Sequence, residues 1–408
     1  MSANASPTQA RSEWAFNDSV GFNTHFIYTG SPYDTQFDAI AKLLFAGKVH
    51  HIRDGGWRPR PSDVQRFAYL GEHGITHGVQ FNVDVTEANV RSALDKYYPY
   101  LDMIEPHNEY DGYRSQYPTT WVSNLRSEMS TLDRARDSDP RFKKIVIVGP
   151  AMRSVESYSD LGSFEESMDA GNLHAGTCDL NPGNTDGSGH NGLPFQESFA
   201  RRNAPTKPIW TTEVGFNDNY NVVDCAIPRP VIAKYIPRMF AERFIAPENQ
   251  GSARTYFYQL VDMPSDKHFG NEGVINADGT PKIQWTALSS LLVALADSSA
   301  TFKPGRLDFA IAGATPQTHT LLLQHHSGRF DLLVWQETKS WQSNDATRIG
   351  GHPIPVPTID VTLTARGRAP RELLTYQPDW TLRGAKMVPN ARHSYTIPVT
   401  DSISIVRF

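Results

Sequence analysis

The sequence predicts a (β/α)8 barrel followed by a small all-β domain. Three observations lead to this prediction. From residue 20 to residue 299, short apolar strand patterns alternate with amphipathic helix patterns. From residue 300 to residue 408, the helical periodicity ends and only strand patterns continue. Several strands of the first region also end in polar side chains, as buried parallel strands do where they reach the rim of an α/β sheet.

The strands of the first region are apolar runs bounded by polar residues or glycine. We predict eight of them, beginning at Val20, His51, Gly78, Leu101, Lys144, Gly171, Lys207 and Arg254. Helical apolar spacing follows each strand, most clearly over Asp34–Ala46, Asp63–His73, Thr119–Arg136, Asp160–Met168, Pro228–Ile245 and Ile283–Ala296. Eight strand–helix pairs in about 280 residues match a barrel, and right-handed crossovers favour a closed one.

The flanking regions carry different patterns. Residues 1–19 are predicted to form a tail. In residues 300–408, the runs Thr320–His326 and Arg329–Trp335 flank Ser327-Gly328, which indicates a hairpin with a two-residue turn. Further alternating runs continue to the C-terminus, and we therefore predict a β-sandwich domain here.

Charge and hydropathy narrow the range of partners. The formal net charge is −5 and no block of Lys and Arg occurs, so we expect no nucleic acid and no membrane surface as a partner. No apolar run approaches the ~18 residues of a membrane helix. The polar start lacks an apolar signal core. The protein is therefore expected to be intracellular or, as we favour, secreted or periplasmic with its leader absent from this chain.

Two further features follow the predicted sixth and seventh strands. Cys178 and Cys225 could meet at one rim of the barrel, but the sequence does not decide between a disulfide and two free thiols. The segment Asn181–Gly192 is rich in glycine and is typical of a loop that covers a site.

Two strand ends carry glutamates suited to acid–base and nucleophilic chemistry. The fourth strand runs into His107-Asn108-Glu109, and the seventh runs into Thr212-Glu213-Val-Gly. These strand ends face each other across the mouth of a barrel, so the two carboxyl groups can approach to about 5–5.5 Å, the separation that retaining glycoside hydrolysis needs. Mutual repulsion between two carboxylates raises one pKa, so one can serve as an acid and the other as an anion.

The same stretches resemble the clan A glycoside hydrolases, and among them the family 39 enzymes. Asn108-Glu109 is similar to the Asn-Glu pair of their fourth strand, and Thr212-Glu213-Val-Gly to the Thr-Glu-x-Gly of their seventh. The resemblance implies that Glu109 is the acid/base and Glu213 the nucleophile. It also implies that Asn108 binds the substrate 2-hydroxyl and that Arg53 keeps the nucleophile ionised.

The resemblance is looser on the sixth strand. Asn172-Leu-His174 is similar to an Asn-x-His element of the clan, which implies a place for His174 in the site. Many relatives continue with Pro-Tyr-Pro-Gly, whereas this chain continues with Ala175-Gly176. We expect this difference from the clan pattern to change the shape of the substrate pocket more than the reaction.

Other side chains are candidates for substrate contact. His107, His25 and Tyr258 stand near strand ends, and Trp57, in a loop after the second strand, offers an aromatic face for a sugar. Each has an ordinary structural alternative, such as a core histidine or a packed aromatic. Glu105 is placed on the strand of Glu109, about 13 Å deeper, as a buried hydrogen-bonded residue.

No metal and no cofactor are expected. The pairs His50-His51 and His325-His326 would point to opposite faces of a strand and could not share an ion, and no zinc or phosphate-loop motif occurs. The sequence thus predicts a retaining glycoside hydrolase acting on an oligo- or polysaccharide. A carbohydrate-binding protein without turnover and a transglycosylase are the alternatives.

Overall fold

The computed structural model describes residues 7–82, 85–176, 178–183, 193–245, 254–267, 270–344, 346–391 and 393–408. The chain begins with two short strands, β1 (Thr8–Gln9) and β2 (Arg11–Ser12), and helix α1 (Glu13–Asp18). Eight strands then form the barrel: β3 (Val20–Asn23), β4 (His51–Asp54), β5 (Thr76–Gln80), β6 (Leu101–Glu105), β7 (Val146–Ile147), β8 (Gly171–Gly176), β9 (Ile209–Gly215) and β10 (Thr255–Phe257).

These eight strands form one parallel sheet in the order β7-β6-β5-β4-β3-β10-β9-β8. The seam between β7 and β8 is closed just beyond β7. There Val148 pairs with Ala170 in parallel, and the Gly149 N–H donates to the Ala170 carbonyl at 2.8 Å. The predicted (β/α)8 barrel is therefore confirmed.

Helices follow the strands and cover the outside of the barrel: α2 (Pro32–Thr35), α3 (Phe37–Ala46), α4 (Pro61–Glu72), α5 (Glu87–Tyr97), α6 (Trp121–Asp137), α7 (Ser157–Leu161), α8 (Leu193–Ala200), α9 (Arg229–Ile245) and α10 (Ile283–Ala294). Their apolar faces are buried against the strands, as Leu44, Leu70 and Leu125 illustrate. The predicted helix Asp160–Met168 is instead split. Gly162 has φ 67°, which a right-handed helix does not accommodate, and it separates α7 from a 3-10 turn at Glu165–Ser167.

The second region contains ten strands: β11 (Arg306–Ala312), β12 (Thr318–Gln324), β13 (Phe330–Gln336), β14 (Trp341–Ser343), β15 (Gly351–Pro353), β16 (Ile359–Arg366), β17 (Glu372–Tyr376), β18 (Leu382–Lys386), β19 (Ser394–Val399) and β20 (Ser404–Arg407). They form the sheets β1-β11-β16-β19 and β18-β17-β20-β13-β12-β2, with β14-β15 as a separate hairpin. Apolar residues of the two larger sheets, such as Val334 and Val361, share one core cluster.

Strand β13 explains how this domain is attached to the barrel. All seven of its residues are buried. Leu332 and Val334 belong to the core between the two sheets, whereas Leu333 and Trp335 belong to the core shared with the barrel. Because successive residues of a strand face opposite sides, a strand buried on both faces reads as a continuous apolar run.

The prediction of an unstructured N-terminal tail is wrong for residues 8–18, which form β1, β2 and α1. Strand β1 pairs antiparallel with β11, and β2 pairs parallel with β12, so both add to the sheets of the second region. Between them Ala10 is buried in the sandwich core, and Phe16 of α1 is fully buried against the barrel. Strands of two residues are too short to show any periodicity, so the sequence pattern could not reveal them. Residues 1–6 lie outside the described part.

The β12–β13 hairpin also differs from its prediction. The ladder ends at the Gln324–Phe330 pair, and the Gly328 N–H donates to the His325 carbonyl at 2.9 Å, with Gly328 at φ 91°. The connection is therefore a longer loop that closes on a left-handed glycine, rather than a two-residue Ser-Gly turn.

The two cysteines form a disulfide that joins the segment after β8 to the segment after β9. A buried ion pair lies nearby at the domain boundary. Arg238 of α9 is fully buried and donates to Glu337 at 2.8 Å, while Glu337 accepts the Gly183 N–H at 2.9 Å. The second domain therefore contacts the segment after β8 at Gly183. None of the described helices combines the length and apolarity needed to cross a bilayer.

Candidate active site

A cavity of about 500 Å³ lies at the carboxyl ends of the barrel strands. Of the nine candidate residues selected from the sequence, eight line it: His25, Arg53, Trp57, Asn108, Glu109, His174, Glu213 and Tyr258. Most of the covering segment expected at Asn181–Gly192 lies outside the described residues, which end at Gly183 and resume at residue 193.

The fourth barrel strand stops earlier than the sequence suggests. Strand β6 ends at Glu105, and Glu109 lies beyond it with a left-handed φ of 46°. Glu109 is therefore not a continuation of the strand that carries Glu105. Residues 106–108 turn the chain so that Asn108 and Glu109 both face the cavity.

His107 is the one selected residue that does not line the cavity. Its ring is buried and packs edge-on against Tyr110 and Tyr113 at 4.9 and 5.1 Å. Its backbone N–H donates to Glu128 at 3.1 Å. Burial lowers the pKa of His107 to about 4. The side chain therefore does not line the cavity, because the turn after Glu105 directs it into the packing around α6.

Arg53 connects the buried base of the site to its upper rim. The guanidinium donates to Glu105 through Nε and Nη2 at 2.9–3.1 Å, and to Glu213 Oε1 through Nη1 at 2.6 Å. Nη2 also donates to Asn108 Oδ1 at 3.0 Å. Burial lowers the pKa of Arg53, but the charges of Glu105 and Glu213 raise it by more, so it stays above its ordinary value. Charge-assisted bonds of this kind fix the position of the Glu213 carboxylate.

The Arg53 contact also orients Asn108. Because the Asn108 oxygen accepts from Arg53, its Nδ2 is the atom left to donate into the cavity. Within the described part of the chain, no hydrogen bond from this Nδ2 occurs. A free amide donor beside Glu109 is suited to a substrate hydroxyl.

His174 lies between the two rim glutamates. Its Nδ1 is 3.0 Å from Glu109 Oε1 and 3.6 Å from Glu213 Oε2, and its Nε2 is 3.1 Å from the Thr212 hydroxyl. Asn172 Oδ1 accepts both the Leu173 N–H and the Thr212 hydroxyl, each at 2.8 Å. Thr212 must therefore accept from His174, so Nε2 carries a proton. Nδ1 is left to exchange a proton with Glu109.

The electrostatics of Glu109 follow from this contact. Burial raises its pKa, but the hydrogen bond and charge of His174, together with the charges of Arg153 and Arg53, lower it by more. The pKa of Glu109 is therefore below its ordinary value. His174 Nδ1 and Glu109 Oε1 are hydrogen-bonded to each other, and a proton between these two atoms is shared by both residues.

The two rim carboxylates are close neighbours. One oxygen of Glu109 and one of Glu213 lie within 4.8 Å of each other, with His174 Nδ1 inside the same distance of both. This spacing is near the 5–5.5 Å of retaining glycosidases and is shorter than the 6.5–9.5 Å of inverting ones.

Aromatic side chains form another part of the wall. The His25 ring stacks on Tyr28 at 4.8 Å and meets Tyr258 edge-on at 5.8 Å. Burial lowers the pKa of His25 to about 4, so its ring is neutral at pH 7. Trp57 is half-buried and lines the cavity, with the Arg58 guanidinium 4.1 Å from its ring centroid. The Arg58 guanidinium covers part of the Trp57 ring, and the ring also packs against the hydrophobic core.

The structure adds cavity residues that the sequence analysis did not select. Arg153 and Glu272 both line the cavity, and so does Gly176, where a Cβ would meet no atom of a described residue within 4 Å. Arg153 and Glu272 lie in loops after β7 and β10, where no periodicity marks which side chains turn inward.

Two groups of described residues have the spacing of metal ligands: Glu109 with His174 and Glu213, and Asp297 with His325 and His326. The second group corrects the argument that adjacent histidines cannot converge, since His325 and His326 lie in the β12–β13 turn. However, the Ser327 N–H donates to His325 Nδ1 at 3.1 Å. His325 Nε2 therefore carries the proton and lies 3.6 Å from Asp297, whereas His326 hydrogen-bonds Asp297 through its backbone N–H at 2.8 Å and through Nδ1.

Comparison with known proteins bears on the fold. No protein-family model matches the sequence. No curated protein matches it significantly. Among solved structures, a family 39 glycoside hydrolase from Bacteroides cellulosilyticus WH2 is similar with a TM-score of 0.63 at 12% identity, over 96% of this chain and 81% of that one. The chain has the fold of a clan A glycoside hydrolase.

Two further structures share the whole architecture. The GH51 arabinofuranosidase from Xanthomonas axonopodis pv. citri has a TM-score of 0.57 at 12% identity, over 98% of this chain and 97% of that one. The glucosidase from Croceicoccus marinus has a TM-score of 0.57 at 10% identity, over 99% of this chain and 96% of that one. The C-terminal β domain is thus part of a shared fold, and activity has to be argued from the site.

Proposed function

We propose that the protein is a retaining glycoside hydrolase that acts on an oligo- or polysaccharide through a covalent glycosyl-enzyme. The observation that carries the proposal is the pair of rim carboxylates, Glu109 and Glu213, with oxygens within 4.8 Å in one cavity. The glycoside hydrolases that share the fold support a carbohydrate substrate. The reaction needs only side chains of this chain and no cofactor.

In the first step Glu213 attacks the anomeric carbon. A new C–O bond forms between one Glu213 oxygen and that carbon, while the bond to the leaving oxygen breaks and its electron pair stays with that oxygen. Glu109 gives its proton to the leaving oxygen. Arg53, bonded to the other Glu213 oxygen at 2.6 Å, holds the carboxylate in line for attack.

In the second step water replaces the ester. Glu109, now ionised, takes a proton from water as the water oxygen bonds to the anomeric carbon, and the ester electron pair returns to Glu213. His174 Nδ1 exchanges the proton with Glu109, since its Nε2 is fixed on Thr212. The Asn108 amide donor is placed to bind the 2-hydroxyl, a contact that strengthens as the oxocarbenium ion forms.

The alternatives differ from this proposal in measurable ways. A carbohydrate-binding protein on the same scaffold would bind sugars without turnover. A transglycosylase would lengthen products at high substrate concentration. The ion pair of Arg53 with Glu213 and the contact of His174 with Glu109 favour catalysis over binding alone, because a binding site has no need of a positioned nucleophile and acid.

The proposal is tested with Glu109→Ala and Glu213→Ala on a panel of 4-nitrophenyl and 2,4-dinitrophenyl glycosides. We expect Glu213→Ala to lose turnover, and added azide to restore it with inversion of the anomeric centre. Glu109→Ala should lose most activity on 4-nitrophenyl substrates, by roughly 10²–10⁴-fold for a lost general acid, and much less on dinitrophenyl ones. Wild-type turnover in Glu213→Ala would contradict the mechanism.

A further inference from the structure

A third carboxyl group, Glu272, lies in the cavity. It belongs to the segment after β10, and this segment is held in place by its backbone. The Gln259 N–H donates to the Glu272 carbonyl at 3.2 Å, and the Gly273 N–H donates to Asp262 at 3.0 Å. Because the backbone is held on both sides of residue 272, the side chain has a defined direction, into the cavity.

The carboxyl group lies on the same wall as Glu213. A Cβ built at Gly215 would be 3.4 Å from Glu272 Oε2. Gly215 follows Glu213 by two residues on β9, and residues two apart on a strand face the same side. The Asn217 side chain, beyond the end of β9, hydrogen-bonds Glu272. Glu272 is therefore a neighbour of the nucleophile rather than of Glu109.

The charges that act on Glu272 are negative. Glu213 and Asp266 act on it from β9 and from the loop after β10, and Tyr258 faces it from the end of β10. His25, which meets Tyr258 edge-on, is neutral at pH 7. Burial, followed by the charges of Glu213 and Asp266, raises the pKa of Glu272 to about 8. At pH 7 the side chain is mostly a neutral acid with an O–H donor.

We propose that Glu272 is a substrate-binding residue of the subsite that holds the sugar attacked by Glu213. It binds as the neutral acid, donating its O–H to a hydroxyl group of that sugar and accepting a hydrogen bond from the same sugar through its carbonyl oxygen. Loss of its proton places a second anion beside Glu213 and removes the donor, so sugar binding weakens. The inference rests on the proposed function, because it requires a sugar at Glu213.

The test isolates Glu272 from the titration of Glu109. In a Glu109→Ala background, 2,4-dinitrophenyl β-D-xylopyranoside, β-D-glucopyranoside and α-L-arabinofuranoside supply a leaving group that needs no acid. With the panel member turned over fastest, we expect kcat/KM to fall as pH rises through about 8, where Glu272 ionises. Adding Glu272→Gln should abolish this fall, because an amide has no proton to lose. Adding Glu87→Gln, on the outer helix α5, should leave it in place.

Two more variants give independent readouts in the same background. Asp266→Asn removes one of the anions, so the fall should move to lower pH. Glu272→Ala removes donor and acceptor together, so kcat/KM at pH 6 should drop about tenfold, mainly through KM, whereas Glu272→Gln keeps both groups and should lose less.

Two results would overturn the inference: a fall near pH 8 that persists in Glu272→Gln, or kcat/KM at pH 6 that is the same in Glu272→Ala as in the parent. Failure of the proposed function is distinct, since it would show as turnover that survives Glu213→Ala, or as no turnover of any panel member.

Discussion

Glu105 and Glu109 are four residues apart, and the structure gives them different tasks. The Glu105 carboxylate accepts from Arg53 Nε and Nη2 at 2.9–3.1 Å, and each side chain is only 3% exposed. Glu109 is 32% exposed on the side chain and faces the cavity. Glu105→Gln should therefore act mainly on stability, and Glu109→Gln mainly on activity.

The size of the stability effect follows from the buried pair. Removing one partner of a buried ion pair costs about 3–5 kcal/mol. Gln keeps a carbonyl acceptor, and Arg53 keeps its contact with Glu213, so we expect the lower end, about 3 kcal/mol. At about 2.1 cal/mol/K per residue, a barrel of about 280 residues has an unfolding entropy of roughly 0.6 kcal/mol/K. The expected fall in Tm of Glu105→Gln is therefore roughly 5 °C.

The assay is calorimetric unfolding at pH 7 together with kcat/KM on a 4-nitrophenyl glycoside, measured well below Tm. Glu105→Gln should lose stability and retain activity within about tenfold. Glu109→Gln should unfold within about 1 °C of the wild type, because its side chain is 32% exposed, and should lose roughly 10²–10⁴-fold in kcat/KM. If Glu105→Gln were inactive with an unchanged Tm, the assignment of stability to Glu105 and of activity to Glu109 would be refuted, since Glu105 would then be the catalytic acid.

Three further outcomes are expected. His174→Ala should move the alkaline fall of kcat/KM on 4-nitrophenyl substrates to higher pH, because the hydrogen bond and charge of His174, which lower the pKa of Glu109, are lost; an unmoved fall would contradict this. Burial raises the pKa of Glu128 to about 7, so the folded state holds a proton that the unfolded chain has released, and stability falls as pH rises from about 4.5 to 7. Glu128→Gln should flatten this fall in a Tm series from pH 4.5 to 8.5, and an unchanged slope would contradict it. Replacing Cys178 and Cys225 together by Ser opens a loop with a sequence separation of 47 and should cost about 4 kcal/mol in urea unfolding; a loss below about 1 kcal/mol would count against it.

The barrel was predictable because its strands are short apolar runs spaced by amphipathic helices. All eight predicted strands have a counterpart, although β7 contains only Val146–Ile147 of the run that starts at Lys144. The apolar run of β13 was also recognisable, since both its faces are buried. Sequence periodicity could not predict β1 and β2, because each contains only two residues. Both strands are positioned by pairing with β11 and β12, about 300 positions away in the chain.

The site was predictable where side chains leave strand ends. Arg53 and His174 lie on strands, and their direction follows from strand alternation. Glu213 lies on β9 directly after a register shift between Thr211 and Glu213, so alternation alone does not give its direction. His107 was misplaced because the turn after Glu105 breaks that alternation. Glu272 was missed because its position depends on the folding of a loop against β10, which no local pattern encodes.

The central claim is that Glu213 becomes covalently bound to the sugar. It is tested most directly by incubating the protein with a 2-deoxy-2-fluoro glycoside carrying a 2,4-dinitrophenyl leaving group, followed by mass spectrometry of the digested protein. The account predicts one fluorosugar per chain, attached to the peptide that contains Glu213. A label on Glu105 or Glu109, or turnover that yields an inverted product without any label, would contradict it.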